Sequence, residues 1–321
     1  MTTKPILIAV VGPTASGKSE LAVKLAKKYH GEVISADSRQ VYRGMDIGSG
    51  KVTGTWLKDS RQPSKTRGFR NDKQIYTYKS IPHYGIDIAS PRSQYSVARF
   101  QKYADKVITD IIKRGKVPII CGGTGHWIDA VVYNQNLPAV KPNSQLRKKL
   151  EKLSTIELFS KLKKLDPVRA QNIDAKNPRR LIRALEIVLS TGKPVPVSSM
   201  QTKYDIFWIG ITHDKEALEK RIDKRLGERL NLGMTKEIKR LHKEGLSWKR
   251  LEDFGLEYKY VALYLQNKLS HEQMVEQLST AIKQYAKRQM TWFKRNKNIN
   301  WIKNSNEASQ IISSEIKKQS R

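Results

Sequence analysis

The residues best suited to chemistry lie close to the start of the chain, in the run GPTASGKS. Its members are Gly12, Pro13, Thr14, Ala15, Ser16, Gly17, Lys18 and Ser19. The glycines let the backbone curl until successive N–H groups converge on phosphate oxygens, and the N-terminus of the following helix adds a positive dipole end. Lys18 would bring a mobile charge to a terminal phosphate, and the Ser19 hydroxyl could bind Mg²⁺. The motif predicts phosphate binding, but it specifies neither the phosphorylated compound nor whether a phosphoryl group is transferred.

Two further residues follow apolar runs and could face the phosphate loop. Asp37 follows the apolar run 32–36, where a carboxylate can act as metal ligand or general base. It could equally be the N-cap of a helix or a turn residue. Thr124 lies in the glycine-rich turn after residues 117–121, where it could donate to a ligand or simply shape a tight turn. No acidic residue ends that third run, which argues against a hydrolysing phosphate-loop ATPase.

The elements that must position these side chains are visible in the hydrophobic pattern. Continuous apolar runs at residues 6–11, 32–36 and 117–121 predict strands that are buried on both faces. Helical periodicity over residues 20–29 and 96–114 predicts the connecting helices. In open α/β sheets, functional groups gather beyond the carboxyl ends of the strands. We therefore expect an α/β fold with a parallel sheet core like that of phosphate-loop NTPases, flanked by helices.

The rest of the chain predicts an insertion into that core. Residues 48–80 are polar and turn-rich, and we expect a long surface loop or a solvated insertion without fixed structure. Residues 140–199 have helical periodicity and no strand signal, whereas residues 206–211 return to a strand pattern. We therefore expect a catalytic core formed by residues 1–139 and 200–321, with a small all-helical domain at 140–199.

The charge of the chain indicates a polyanionic partner. Its 321 residues include 61 Lys and Arg against 30 Asp and Glu, a formal net charge of +31. Such an excess attracts nucleic acid, although an anionic membrane surface or general basicity would also account for it. Residues 283–297 contain six Lys or Arg and no acid, interleaved with Tyr285, Trp292 and Phe293. These aromatic residues could stack on bases or belong to the core.

Composition also excludes several classes of protein. The single cysteine, Cys121, excludes an intramolecular disulfide framework and a multi-cysteine zinc site. No apolar run approaches the roughly 18 residues that would span a bilayer, and no signal-peptide pattern is present. We expect a cytoplasmic protein that does not bind a membrane.

Taken together, the motifs resemble those of the tRNA dimethylallyltransferases, also called adenosine-37 isopentenyltransferases. The resemblance covers nearly the whole chain, in the order of the family. It rests on residues 12–19, 34–48 (ISADSRQVYRGMDIG), 82–87 (PHYGID), 122–125 (GGTG), 177–186 (NPRRLIRALE) and 286–293 (AKRQMTWF). Departures occur at residues 48–51, 84–85, 126–127 and 255–259, where other residues are common in the family.

The resemblance implies transfer of a dimethylallyl group from its diphosphate to N6 of adenosine 37. This adenosine lies beside the anticodon in tRNAs that read codons beginning with U. The phosphate loop would hold the diphosphate with Mg²⁺ near Ser19, and Thr14 and Lys18 would stabilise the leaving oxygen. Asp37 would accept the proton from N6, and Arg225 would reach the diphosphate, although Arg221 lies one helical turn away and could be confused with it.

The resemblance also implies an RNA-binding surface, and we expect the protein to be a monomer. The partner would be a tRNA anticodon stem–loop with adenosines at positions 36–38. The expected tRNA-binding residues are Asp37, Ser38, Arg39, Gln40, Thr124, Arg147, Arg179, Arg180, Arg183, Lys287, Arg288, Gln289, Trp292 and Lys294. Two other functions remain open on the residues alone. A small-molecule or nucleoside kinase shares the loop and the aspartate, and a non-catalytic RNA-binding protein shares the charge.

Overall fold

The apolar run that follows Pro5 forms an inner strand of a mostly parallel sheet. The structure is a computed structural model that describes residues 4–58, 74–138, 140–196, 201–304, 306–308 and 310–313. Its strands are β1 (Ile6–Val11), β2 (Gly31–Ser35), β3 (Thr55–Lys58), β4 (Gln74–Tyr78), β5 (Ile81–Tyr84), β6 (Val117–Gly122), β7 (Asp205–Ile211) and β8 (Asn300–Ile302). Across the described residues they form one sheet in the order β3-β4-β5-β2-β6-β1-β7-β8. The expected α/β fold class is confirmed.

Helices connect the strands and extend the chain beyond the sheet. They are α1 (Lys18–Lys28), α2 (Val97–Lys113), α3 (Gly125–Val132), α4 (Ser144–Leu150), α5 (Thr155–Leu165), α6 (Pro167–Gln171), α7 (Pro178–Thr191), α8 (Lys215–Asn231), α9 (Met234–Lys243), α10 (Trp248–Asp253), α11 (Leu256–Leu265) and α12 (His271–Phe293). None of the helices described here is both long and apolar enough to cross a bilayer. The chain divides into two compact units, residues 1–132 with 202–321 and residues 133–201.

The core of the first unit lies where α1 packs on the sheet. Strand β1 is parallel to both β6 and β7, with Ile8 beside Ile119 and Phe207. Leu21 and Leu25 of α1 are buried against the face of the sheet that carries these three side chains. Every other residue of a strand points to one face, so the continuous burial of Leu7–Val11 requires cover on both sides. This packing fixes the carboxyl ends of β1, β2 and β6 at one edge of the sheet.

The second unit is built from four helices in its described part, α4 to α7. Leu158, Leu162, Leu181 and Leu185 form its buried centre. The helices begin with polar caps: the side chains of Ser154 and Asn177 accept the N–H groups of Glu157 and Arg180. The unit spans 133–201, where the sequence predicted a helical domain at 140–199.

The expectation of a long surface loop over residues 48–80 was wrong at both of its ends. β3 and β4 pair antiparallel, with Trp56 opposite Tyr76, and β4 pairs antiparallel with β5. The Tyr76 hydroxyl also donates to the Val52 carbonyl (2.6 Å). Polar composition hid these strands because they lie at the edge of the sheet, where one side of a strand can remain in water. Residues 59–73 of the expected loop lie outside the described residues.

A buried carboxylate on β2 makes the stability of the first unit dependent on pH. Glu32 is 1% exposed and accepts hydrogen bonds from Arg114 (2.6 Å), Lys116 (2.9 Å) and the Tyr84 hydroxyl (2.7 Å). Burial alone would raise the pKa of Glu32, but these hydrogen bonds outweigh it and lower the pKa to about 2.

We expect Glu32→Gln to lower the free energy of unfolding by about 2 kcal/mol at pH 7, because Lys116 loses its buried carboxylate and Arg114 keeps only Asp110. In the wild type this stabilisation is complete above the ordinary carboxyl pKa of 4.5 and is lost as the pH falls towards 2. Urea denaturation between pH 3 and 7 measures both effects. Equal pH dependence in the variant and the wild type would contradict the assignment.

Candidate active site

The candidate site is a cleft at the carboxyl edge of the sheet, where the chain leaves β1, β2 and β6. The cleft is open to solvent, and the empty space within it, open solvent included, amounts to about 570 Å³. Its lining residues are Thr14, Lys18, Ser19, Val33, Ser35, Asp37, Gln40, Ser49, Gly50, Val52, His83, Ile86, Cys121, Gly122, Arg225 and Arg229. Residues of the phosphate loop, Asp37 and Arg225 therefore line one cavity. All of its lining lies within the first unit.

The phosphate loop is held tightly by backbone contacts. Gly12 has φ +151°, and a Cβ there would lie 2.7 Å from the Ile211 carbonyl oxygen, so only glycine fits. Two basic side chains bind the outside of the loop. Arg221 donates to the Ala15 carbonyl (2.8 Å), and the His213 ring lies 2.8 Å from the Ser16 carbonyl. These contacts preserve the curl that directs N–H groups towards an anion.

Lys18 is the first residue of α1 and points into the cleft. Its ammonium donates to the Pro13 carbonyl (3.1 Å), which folds the side chain back over the loop. Burial lowers the pKa of Lys18, and the nearby Arg225 acts in the same direction, whereas Cys121 and Asp37 oppose the change. A buried cation that lacks a full counter-charge is well suited to bind an anion.

Asp37 is a turn residue, and its side chain also reaches the cleft. Its Oδ1 accepts the backbone N–H groups of Arg39 (2.9 Å) and Gln40 (3.4 Å), so the side chain shapes the turn after β2. The same carboxylate also lines the cleft. Thr124 supports this turn, since its Oγ1 accepts the N–H of Ser38 (3.2 Å). The turn thus fixes the carboxylate in place beside the phosphate loop.

The structure separates the two candidate arginines of α8. Arg225 lines the cleft, whereas Arg221 binds the Ala15 carbonyl and is not among the lining residues. Nη2 of Arg225 donates to the Gly50 carbonyl (3.3 Å), and among the described residues Arg225 forms no ion pair. Burial, together with repulsion from Arg229, lowers the pKa of Arg225 to about 10.

Sequence reasoning missed two acidic residues that organise the cleft. Glu257 forms ion pairs with Arg39 (3.0 Å) and Arg229 (2.8 Å) and is itself buried. Glu237 accepts the backbone N–H groups of three successive residues: Asp46 (2.9 Å), Ile47 (2.7 Å) and Gly48 (3.1 Å). No sequence pattern signals these contacts, because about 190 positions separate Glu237 from its partners.

The Glu237 contacts hold the segment that carries Gly50. The Tyr258 hydroxyl donates to the same carboxylate (2.9 Å), so α9 and α11 both support this wall of the cleft. The Gly50 carbonyl in turn accepts Gln40 (3.2 Å) and Arg225. Two side chains of the cleft therefore take their orientation from one backbone oxygen.

The side chain of Gln289, one of the expected tRNA-binding residues, is buried beside the phosphate loop, and its contact with tRNA stays a prediction. Its side chain is 5% exposed, its Oε1 accepts the Thr14 N–H (2.8 Å), and its Nε2 donates to the Gly123 carbonyl (2.9 Å). The amide thus joins α12 to the phosphate loop and to the turn after β6. Tyr285, one turn earlier, is hydrogen-bonded to Thr124, and burial raises its pKa. The basic and aromatic pattern could not reveal that this face of α12 points inward.

The other expected residues of α12 divide between core and surface. Phe293 is buried, which confirms the core interpretation for that residue. The Trp292 indole donates to Asp129 (3.0 Å), and Arg295 lies 3.9 Å from the ring centroid, so one ring face is already covered. In contrast, Lys287, Arg288 and Lys294 are exposed. These three cations are accessible to an RNA backbone.

The expected residues of the second unit also divide into two groups. Arg147 and Arg183 bind the buried Glu186 at 2.7 Å and 2.5 Å. Burial raises the pKa of Glu186, but these hydrogen bonds outweigh it and lower the pKa to about 2. The two arginines therefore stabilise the unit itself, whereas Arg179 and Arg180 are exposed.

The cleft offers few ligands for a metal ion. In the ranges that the structure covers, no group of three or more His, Cys, Asp or Glu side chains is arranged to hold a metal. The Ser19 hydroxyl does line the cleft beside the Asp37 carboxylate. This oxygen-only donor set fits Mg²⁺, which keeps several waters and binds largely through the phosphates of a substrate.

Fold and cleft together define a phosphate-loop α/β protein whose cleft carries three cations and one carboxylate. Comparison with known proteins narrows this class. A family profile described as IPP transferase matches residues 70–296, and one described as isopentenyl transferase matches residues 5–63. The chain belongs to the IPP transferase family.

Individual relatives support this assignment. A protein of Pelotomaculum thermopropionicum named tRNA dimethylallyltransferase is 39% identical, over 98% of this chain and 96% of the relative. The crystal structure of a tRNA isopentenylpyrophosphate transferase of Staphylococcus epidermidis aligns with TM-score 0.67 and 37% identity, over 98% of this chain and 100% of that one. A eukaryotic dimethylallyltransferase crystallised acting on tRNA aligns with TM-score 0.73 and 26% identity, over 93% of this chain and 74% of that one.

Proposed function

We propose that this protein transfers a dimethylallyl group from dimethylallyl diphosphate to N6 of adenosine 37 in tRNA. Its substrates would be tRNAs that read codons beginning with U and carry adenosines at positions 36–38. The products are N6-dimethylallyladenosine and diphosphate. One observation carries the proposal: the phosphate loop, Asp37 and Arg225 line the same cleft. A leaving diphosphate and an attacking amine need a cationic and a basic group in one site.

The donor half of the reaction uses the cations of the cleft. The bond from C1 of the prenyl group to the diphosphate oxygen breaks, and negative charge grows on that oxygen. Lys18 and Arg225, with the Thr14 side chain, stabilise this charge where it develops. The effect is large because the cations are largely removed from water. Exclusion of water also protects an allylic centre from hydrolysis.

The acceptor half uses Asp37. As N6 of the adenine attacks C1, a new N–C bond forms and the nitrogen gives up a proton. The Asp37 carboxylate accepts that proton, and the turn that binds its Oδ1 keeps it oriented. Bound Mg²⁺ would neutralise part of the diphosphate charge, and the Ser19 hydroxyl is the side chain that we propose to hold it.

Exposed cations supply the RNA-binding surface in this proposal. Lys287 and Arg288 of α12 and Lys294 directly after it, with Arg179 and Arg180 of the second unit, would contact tRNA phosphates. A stacked adenine cannot reach a closed cleft, so the base must be extruded from the anticodon loop. We propose that the enzyme acts as a monomer in the cytoplasm and does not bind membranes.

The test combines purified protein, unmodified tRNA and dimethylallyl diphosphate, followed by nucleoside mass spectrometry. We expect a mass gain on one adenosine in tRNAs with three consecutive adenosines beside the anticodon, and none when position 37 is guanosine. A parallel reaction with ATP tests the kinase alternative. Absence of prenylated adenosine with every such tRNA would overturn the proposal, and phosphoryl transfer from ATP would favour a kinase.

A further inference from the structure

The cleft contains a second arginine that sequence motifs do not single out. Arg229 follows Arg225 by one turn of α8, so both side chains leave the same face of the helix. Both line the cleft, and the Arg229 side chain is only 11% exposed. A surface arginine would place its charge in water, whereas this one lies beside the phosphate loop.

Glu257 binds Arg229 through one nitrogen of the guanidinium group. Nη1 of Arg229 donates to Oε1 of Glu257 (2.8 Å), while Oε2 of the same carboxylate accepts Arg39 (3.0 Å). One carboxylate therefore serves two guanidinium groups. In the part of the chain that is described, Nη1 is the atom of Arg229 that makes a hydrogen bond, which leaves donors on Nε and Nη2 for a ligand.

Gly50 provides the room for this side chain. It has φ +64°, a left-handed conformation that favours glycine, and a Cβ at this position would overlap Nη2 of Arg229. The same Cβ would lie 2.7 Å from Cζ of Arg229 and 2.8 Å from Nη2 of Arg225. Nη2 of Arg229 therefore occupies space in the wall of the cleft that any larger residue at position 50 would fill.

The charges of the cleft exceed what a single phosphate group requires. Lys18, Arg225 and Arg229 line it against the single carboxylate of Asp37. Burial lowers the pKa of both Lys18 and Arg225, and Arg229 contributes to each decrease. These cations repel one another in the free protein, and an anion with several charges removes that repulsion. Diphosphate fits this arrangement better than phosphate.

We propose that Arg229 is a diphosphate-binding residue, held by Glu257 and accommodated by Gly50, that selects a diphosphate ester over a monophosphate. This proposal rests on the proposed function, because it assigns the residue to the donor side of that reaction. Arg229 donates from Nη2 to the donor's diphosphate while Nη1 remains on Glu257. Arg39 binds the other oxygen of Glu257 and belongs to the turn that holds Asp37, so Glu257 connects Arg229 with that turn.

The first test measures the binding of inorganic pyrophosphate and inorganic phosphate by calorimetry, with the KM for dimethylallyl diphosphate. We expect Arg229→Met to weaken pyrophosphate binding and raise this KM by about tenfold or more, because a charged hydrogen bond is lost. Phosphate binding and the affinity for tRNA should change much less. Lys224→Gln is the matched control, since Lys224 lies on the same helix with its side chain 80% exposed.

A second test displaces the Arg229 guanidinium without replacing the residue itself. Gly50→Ala alone should weaken pyrophosphate binding, because the new methyl group displaces the guanidinium. The same substitution should cost less in the Arg229→Met background, where that overlap is gone. Equal pyrophosphate affinity in the wild type and Arg229→Met, or strictly additive effects of the two substitutions, would overturn the inference. Absence of prenyl transfer by the wild type would instead overturn the proposed function.

Discussion

Replacing Asp37 by asparagine is expected to lower kcat for prenyl transfer by about 10²–10⁴-fold, the usual contribution of a general base. Asparagine keeps an oxygen at the position of Oδ1, so the N–H groups of Arg39 and Gln40 retain their acceptor and the turn persists. The amide cannot take the proton from N6. The loss should therefore appear in the chemical step, with tRNA affinity nearly unchanged.

Single-turnover transfer with saturating tRNA measures this step directly. Asp223→Asn is a suitable control, because that carboxylate forms a surface ion pair with Lys283 and lies on α8, outside the lining of the cleft. A kcat within a few-fold of the wild type for Asp37→Asn would exclude Asp37 as the base. Full function in Asp37→Ala would favour a non-catalytic RNA-binding protein.

Replacing Lys18 by methionine is expected to lower kcat/KM for dimethylallyl diphosphate by about 10²–10³-fold, because it removes a charge aimed at the leaving oxygen. Methionine fills similar space, so α1 should still begin at the same residue. Lys27→Met on the exposed side of α1 is the control. Steady-state kinetics at fixed tRNA measure the effect, and wild-type values for Lys18→Met would remove this residue from the mechanism.

The pH dependence of kcat/KM for the donor is an independent test of the protonation of Lys18 and Arg225. Burial lowers the pKa of Lys18 below its ordinary value and lowers that of Arg225 to about 10. Both groups bind diphosphate in their protonated form. The kcat/KM for the donor, which reports the free enzyme, should therefore fall with rising pH before an exposed lysine would titrate. A flat profile up to the pKa of exposed lysines would contradict the buried placement.

The sequence predicted the centre of the fold well because that part carries strong local signals. β1, β2, β6 and β7 are apolar runs, and α2 spans Val97–Lys113 where residues 96–114 were expected. The phosphate loop combines a motif with its flanking strand and helix. In these regions the local hydrophobic pattern agrees with the tertiary environment, so the pattern alone predicts the secondary structure.

The strands at the edges of the sheet were missed because backbone pairing with neighbouring strands stabilises them, and this pairing leaves no hydrophobic pattern in their own residues. β3 is mostly exposed, and it exists because its backbone pairs with β4, whose residues lie about 20 positions later. β8 is three residues long and pairs with β7. Such strands have too few buried side chains to give a periodic signal.

The residues of the site likewise divide into those that the sequence predicted and those that it missed. Lys18, Asp37 and Arg225 occupy the cleft as the motifs predicted, although their catalytic roles stay predictions. Arg229 and Glu257 depend on contacts between α8, α11 and the turn after β2, which a single sequence does not encode locally. Gln289 was expected to bind tRNA, and its burial was not foreseen, because the pattern of charges along a helix does not reveal which face of the helix points inward.

The position of β1 between β6 and β7 has a consequence for the order in which the protein is made. β7 begins at Asp205, so one edge of β1 stays unpaired until roughly 200 further residues have been synthesised, on the order of 10 s or more at ribosomal rates. The phosphate loop stays incomplete for even longer, because Arg221 and then Gln289 also contribute contacts to it. The nascent chain therefore carries an open apolar strand and an unfinished loop through most of its translation. The earliest motif in the sequence is among the last parts of the enzyme to take its working form.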